Sequence, residues 1–177
     1  DQTARVWESR SGQTVAVLQG HTKRLNRLAF SPNSRLVVTG SLDKTARVWD
    51  ATSGRSLLTL VGHTNNVEDV VFSPDGKTIL TGSWDGTARL WEAATGRSLF
   101  TLAGHRNGVY RVAFSPNGQY IATASLDRTA RLWDARTGRL RHVLRGHTHD
   151  EVLSVAFSAD GSLLLTNSGD LTARVWE

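Results

Sequence analysis

Histidine, serine and aspartate together are the parts of a hydrolytic relay: a base, a hydroxyl nucleophile and an orienting carboxylate. The stretch TGSWDGTARLWE, residues 81–92, holds Ser83 and Asp85, and His63 stands twenty residues before the serine. Acyl transfer would also need the serine oxygen free to attack, an oxyanion hole and a substrate cleft. Whether these side chains can meet at all depends on the elements that carry them, and here the elements repeat.

Gly-His occurs at Gly20-His21, Gly62-His63, Gly104-His105 and Gly146-His147, each 42 residues after the last. Tryptophan followed by an acid occurs at 7, 49, 91 and 133 with the same spacing, and once more at Trp176-Glu177, 43 residues on. The added residue lies in HTHDEVLSVAF. Each unit reads as four short strands. The first, such as VEDVVF, is closed by SPDG (elsewhere SPNS, SPNG or SADG), a sequence that suits a type I turn. The second ends in an Asp turn, the third (TARLW) alternates at period two, and the fourth leads to the next Gly-His. No helical period competes.

Gly-His, a strand-end serine, an Asp turn and Trp-Asp or Trp-Glu recurring in register resemble the WD-repeat β-propeller family over the whole chain. The resemblance implies an all-β fold of propeller blades, each of four antiparallel strands, in about four repeats of 42 residues. It also implies a structural use of the suspicious residues, carried over as His21, Ser41, Asp43 and Trp49; His63, Ser83, Asp85 and Trp91; His105, Ser125, Asp127 and Trp133; His147, Ser168, Asp170 and Trp176. Chemistry agrees, because an indole N–H only donates, a hydroxyl does both, neutral imidazole does one at each nitrogen and carboxylate only accepts. A chain running Trp to Ser to His to Asp satisfies every member. Thr39, Thr81, Thr123 and Thr166, two residues earlier on the same strand face, are the alternative hydroxyls. Four equivalent triads in one domain are not what an enzyme needs, so the chain is expected to be non-catalytic.

Absence of cysteine excludes disulfides, thiolate metal sites and cysteine nucleophiles. Residues 1–15 lack the features of a signal peptide and no apolar run spans a membrane, so the expected location is cytoplasmic, with no membrane partner. A net charge of +5 raises nucleic acid or phosphate as partners. Arg5, Arg47, Arg89, Arg131 and Arg174, at one point of every third strand, account for that whole excess of 21 basic over 16 acidic side chains. Each is expected to lie beside its tryptophan with its stem buried and its head wet, a dispersed ring that makes nucleic acid an unfavoured partner. Lys23, Arg24 and Arg27 form a richer cluster, answered in the next repeat by Glu68 and Asp69. His147, His149, Asp150 and Glu151 look superficially like metal ligands, but His147 belongs to a tetrad, and neither metal nor cofactor is expected.

A repeat protein keeps its scaffold constant and places function where repeats differ. Leu42, Trp84, Leu126 and Gly169 precede the turn aspartates, and Asn26, Glu68, Tyr110 and Leu153 follow the first apolar residue of each first strand. The resemblance puts both sets on the face of the Gly-His and Asp turns. Trp84 alone of six tryptophans breaks the repeat, and Tyr110 in the next unit is expected near it. With Leu42, Leu126, Asn26, Glu68 and Arg24 they are the candidate partner surface.

By this reading residues 1–19 are the last two strands of a blade, 20–61, 62–103 and 104–145 are whole blades, and 146–177 are the first three strands of another. One chain does not close the ring, since the third strand is present at both ends. An excerpt or engineered fragment of a longer propeller is favoured; the alternative is a homo-oligomer, a dimer completing about eight blades. The resemblance implies a scaffold for a protein or peptide partner. Its regular repeats look like those of bacterial members, which makes a ligand-sensing arm of a larger signalling ATPase or kinase the alternative. Phosphate or nucleic-acid binding through an Arg-rich surface is weaker.

Overall fold

The computed structural model describes residues 1–148 and 150–177. Period-two alternation, cut every few residues by Gly, Asn, Asp or Ser-Pro turns, gives short strands and, among the described residues, no helix. Strands β1 (Thr3–Trp7) and β2 (Thr14–Gln19) pair as a ribbon. Then come three four-stranded sheets: β3 (Leu25–Phe30), β4 (Leu36–Ser41), β5 (Ala46–Asp50) and β6 (Ser56–Leu60); β7 (Val67–Phe72), β8 (Thr78–Ser83), β9 (Ala88–Glu92) and β10 (Ser98–Leu102); β11 (Val109–Phe114), β12 (Tyr120–Ser125), β13 (Thr129–Asp134) and β14 (Leu140–Arg145). A three-stranded sheet ends the chain, β15 (Val152–Phe157), β16 (Leu164–Ser168) and β17 (Ala173–Trp176). Every neighbouring pair is antiparallel and consecutive in sequence.

Local chemistry sets the turns. In SPDG the Gly76 N–H donates to Ser73 O at 2.9 Å, and Gly76 holds φ +72, a left-handed conformation that glycine adopts without a Cβ penalty.

The core lies between sheets. Val38, Ala46, Val48 and Leu60 pack on Val67, Val70, Phe72 and Trp91 of the next sheet. Leu80, Leu90 and Leu102 repeat this against Val109, Val112 and Trp133, and Ala122, Ala124 and Ala130 against Val152, Val155 and Leu164. The β1–β2 ribbon joins through Ala4, Ala16 and Leu18 packed on Val37 and Trp49. The first strands β3, β7, β11 and β15 are neighbours in succession, so they form the inner edge of the array.

Each sheet thus offers one face forward and one back, and the array is an arc whose ends stay uncovered. Leu28 and Phe30 on β3 are 53% and 49% exposed, whereas their counterparts Val70 and Phe72 are 1% and 9%. At the other end Leu165 and Val175 are 47% and 64% exposed, against 0% and 1% for Val38 and Val48. Among the described residues no helix is long and apolar enough to cross a membrane.

One feature of register positions the candidate surface. Where each first strand meets its second, one residue is left unpaired: Asn26, Glu68, Tyr110 and Leu153. A β-bulge bends the strand and re-aims the extra side chain. The four candidate positions that sequence comparison of the first strands singled out are these bulge residues.

Candidate functional site

The four histidines do meet their aspartates and tryptophans, but through threonine. Trp49 Nε1–H donates to Thr39 Oγ1, Thr39 bonds His21 Nε2, and His21 Nδ1 bonds Asp43 Oδ2, at 2.8, 2.8 and 2.7 Å. Trp91, Thr81, His63 and Asp85 repeat the relay, as do Trp133, Thr123, His105 and Asp127, and Trp176, Thr166, His147 and Asp170, with every link between 2.7 and 3.0 Å. A carboxylate at Nδ1 fixes the tautomer, so Nε2 accepts from the threonine hydroxyl.

The serines Ser41, Ser83, Ser125 and Ser168 are therefore not in the relay, which corrects the expectation from sequence. Trp49 pairs across the ladder with Val37, and Thr39 lies two residues from that partner on the same face. Ser41 lies four residues away, roughly 13 Å along a strand, beyond the reach of an indole N–H. The serines instead fasten the Asp turn. Ser41 Oγ accepts from Asp43 N–H at 3.1 Å and donates to Arg24 O at 3.0 Å, and Ser83, Ser125 and Ser168 do the same toward Asn65, Asn107 and Asp150.

Burial alone would raise the Asp43 carboxyl, but bonds from Thr45, His21 and the Thr22 N–H outweigh it and hold it at about 2. Asp85, Asp127 and Asp170 are likewise held below the usual carboxylate range. Desolvation pushes His21 and His105 down against the pull of their aspartates. The relay threonine hydroxyls are buried and bonded on both sides, so these oxygens are not free to attack.

Three of the five repeated arginines, Arg47, Arg89 and Arg131, lie beside their tryptophans as expected, at 5.9 to 6.0 Å from the ring centroids. Their heads are not simply wet. The Nε atoms of all three are buried without a partner among the described residues. His147 uses both ring nitrogens in its relay, so it has none for a metal, and His149 lies outside the described residues. Among the described residues no cluster of potential metal ligands occurs.

On the face of the Gly-His and Asp turns, Trp84 is 45% exposed. Its backbone N–H donates to Asn66 O, and its ring rests against Gly108, where a Cβ would come within 3.4 Å of ring atoms. Tyr110 follows two residues on, with the Arg111 guanidinium stacked 4.5 Å from its ring centroid. Leu42 and Leu126 are half-buried, and each N–H is tied back to the preceding loop at Arg24 O and Gly108 O. Arg24 donates to Asn26 Oδ1, and Asn26 reaches Val67 O on the next sheet. Burial pushes the Glu68 carboxyl up, opposed by Arg111, Arg24 and Asn26.

Two features escaped sequence reasoning. Asp69, weighed there only as a counter-charge, is buried and joins three sheets. It accepts from Val70 N–H on its own strand and from Val112 N–H on the next, both at 3.0 Å, and Arg27 of the preceding sheet lies 3.9 Å away. Desolvation pushes its carboxyl up. Its position is Arg27, Arg111 and Ser154 in the other units, so departure from the repeat was the available signal. The other is a cleft rich in arginine beside Asp127, also built from departures.

Comparison with curated proteins finds no match to the chain. The family model described as "WD domain, G-beta repeat" matches four times, over residues 12–50, 54–92, 96–134 and 138–177. Domains of this kind are typically non-catalytic and mediate protein–protein interaction. With its relay in four sheets and four matches spanning most of its length, the chain belongs to the WD-repeat family.

Proposed function

We propose that the chain is a non-catalytic platform that binds a protein or peptide through the face of its Gly-His and Asp turns. The observation that carries this is Trp84. It is large, apolar and 45% exposed, it departs from the repeat, and its ring rests against Gly108, two residues before the bulge residue Tyr110. Rigid aromatics amid polar neighbours are the usual energetic anchors of an interface. Non-catalytic use is supported by the relay, which leaves its hydroxyls, imidazoles and carboxylates committed to one another.

Peptides selected against the chain from a random displayed library test this. Trp84→Gly, with the residue already present at 169, should weaken most of them at least tenfold. It should change stability by less than about 1 kcal/mol, as expected of an exposed side chain. Peptides indifferent to Trp84→Gly would overturn the reading.

A second observation favours self-association of the 177-residue chain. The exposed faces at the two ends are the two halves of the contact that recurs inside it: Leu28 and Phe30 match side chains that dock on a preceding sheet, Leu165 and Val175 match side chains that receive a following one. Two copies arranged head to tail cover both, in a ring of about eight blades. TARVW stands at both 3–7 and 172–176, so either copy's strand can hold third place at a seam, with the other displaced. Sedimentation equilibrium should give a dimer; a stable monomer at micromolar concentration would contradict it.

A further inference from the structure

The cleft beside Asp127 is unlike its counterparts in the other sheets. It has a volume of about 460 Å³ and lies between the Asp turn of the β11–β14 sheet and Gly146-His147. Arg106, Arg128, Arg131 and Arg145 line it. Only Arg131 belongs to the repeat. The position of Arg106 is Thr22, Thr64 and Thr148 elsewhere; that of Arg128 is Lys44, Gly86 and Leu171; that of Arg145 is Gln19, Val61 and Ala103. Three independent departures have put three extra guanidinium groups around one cavity.

The single carboxylate lining the cleft offsets only one of the four and pairs with none of them. Asp127 is taken up by His105 Nδ1 at 2.9 Å, by the N–H groups of Arg106 and Thr129 at 3.0 Å, and by the Thr129 hydroxyl at 2.6 Å. None of the four arginines forms an ion pair among the described residues. Arg131 is pressed over Gly104 and donates from Nη2 to Gly104 O at 2.6 Å, so its head is held in the cleft. Desolvation pushes its pKa down, and Arg145 and Arg106 push the same way against Asp127. Four like charges gathered around one counter-charge are destabilising unless something else supplies the rest. A larger cavity of about 700 Å³, on the opposite face near Pro74 and Tyr120, makes the contrast: its Arg141 is already paired with Asp134 at 2.8 Å.

We propose that the Arg106–Arg128–Arg131–Arg145 cleft binds a dianionic phosphoryl group. Guanidinium forks match phosphoryl oxygens with paired, charge-assisted hydrogen bonds. A dianion offsets most of the local excess, which a carboxylate does not. The site goes beyond the partner-face reading, and Trp84 has no part in it.

Isothermal titration at low ionic strength, with inorganic phosphate, acetate and a phosphoserine peptide with its unphosphorylated twin, tests it. The native chain should bind phosphate at least tenfold more tightly than acetate. Arg106→Thr with Arg145→Gln, which installs residues found at the same points of other sheets, should lose at least tenfold. Arg128→Gly, the residue present at 86, gives a second measure should the double variant fold poorly. A phosphopeptide at least tenfold tighter than phosphate places the group on a protein partner; equal affinities assign a free anion. Phosphate binding that survives both variants, or that acetate equals, overturns the proposal. Trp84→Gly should leave it unchanged, so failure here and failure of the platform are separately visible.

Discussion

The β7–β10 sheet and the β15–β17 sheet contain the same relay, with links of 2.7 to 3.0 Å in one and 2.9 Å in the other, yet they differ sharply in what surrounds it. Thr81 and Thr166 each bridge a tryptophan and a histidine within 3.0 Å. Leu80 is fully buried by the following sheet, whereas Leu165 at the same place is 47% exposed. The relay is therefore a property of one sheet's own residues. Apolar burial is a property of the junction between two. A WD unit is locally wired but stabilised jointly, as expected of a repeat whose stability sums unit and neighbour terms.

Paired substitutions sharpen this. Leu80→Ala should cost about 2–5 kcal/mol in urea unfolding, the range for truncating a buried leucine. Leu165→Ala should cost under about 1 kcal/mol in the monomer, as an exposed position does. Equal costs in the monomer would break the comparison, and a large Leu165 effect only at concentrations where the chain pairs would support the head-to-tail seam. Next in size is Thr81→Val, which leaves an indole N–H and an imidazole nitrogen buried without partners, at about 1–3 kcal/mol in all. Thr166→Val should cost less, because Trp176 is only partly buried and water can reach it. Ser83→Ala should cost about 1 kcal/mol, the ordinary worth of the bond to Asn65 O. A serine effect larger than the threonine effect would contradict the assignment of the relay.

The smallest effect is on pH dependence. His21 and His105 have folded values below their unfolded ones, so the unfolded chain takes up protons first and stability declines as pH falls below about 6.5. Asp43, held at about 2 when folded, adds a second decline of the same sign as pH falls below about 4 toward 2. Denaturation midpoints between pH 8 and pH 3 should fall in these two stages. Glu68 and Asp69, pushed up by burial, act with the opposite sign, but the four relay aspartates outnumber them, so a midpoint that rises between about pH 4 and pH 3 would contradict the ionisation states given.

Much of this was legible in the sequence. Gly20-His21 and its sisters, the turn aspartates and the tryptophans recur in register, the turns between them cut each unit into four short strands, and the resemblance to WD repeats implied that the units are propeller blades. Which hydroxyl joins the relay was not legible, because Thr39 and Ser41 share a face and only the ladder register, Val37 against Trp49, shows which the indole reaches. The bulges at Asn26, Glu68, Tyr110 and Leu153 were equally hidden. A bulge is a count of unpaired residues between strands, and neither strand reveals it alone. Arg106, Arg128 and Arg145 were visible as departures, but they lie in three separate segments, and only folding brings them to one cleft.

Hydrogen–deuterium exchange of the chain, with and without a library-selected peptide, tests the central claim that function resides on the face where repeats differ. Protection is predicted in the turns around Trp84 and along 106–111, with none at the opposite turns containing Pro74 and Pro116. Protection centred on those opposite turns would contradict it.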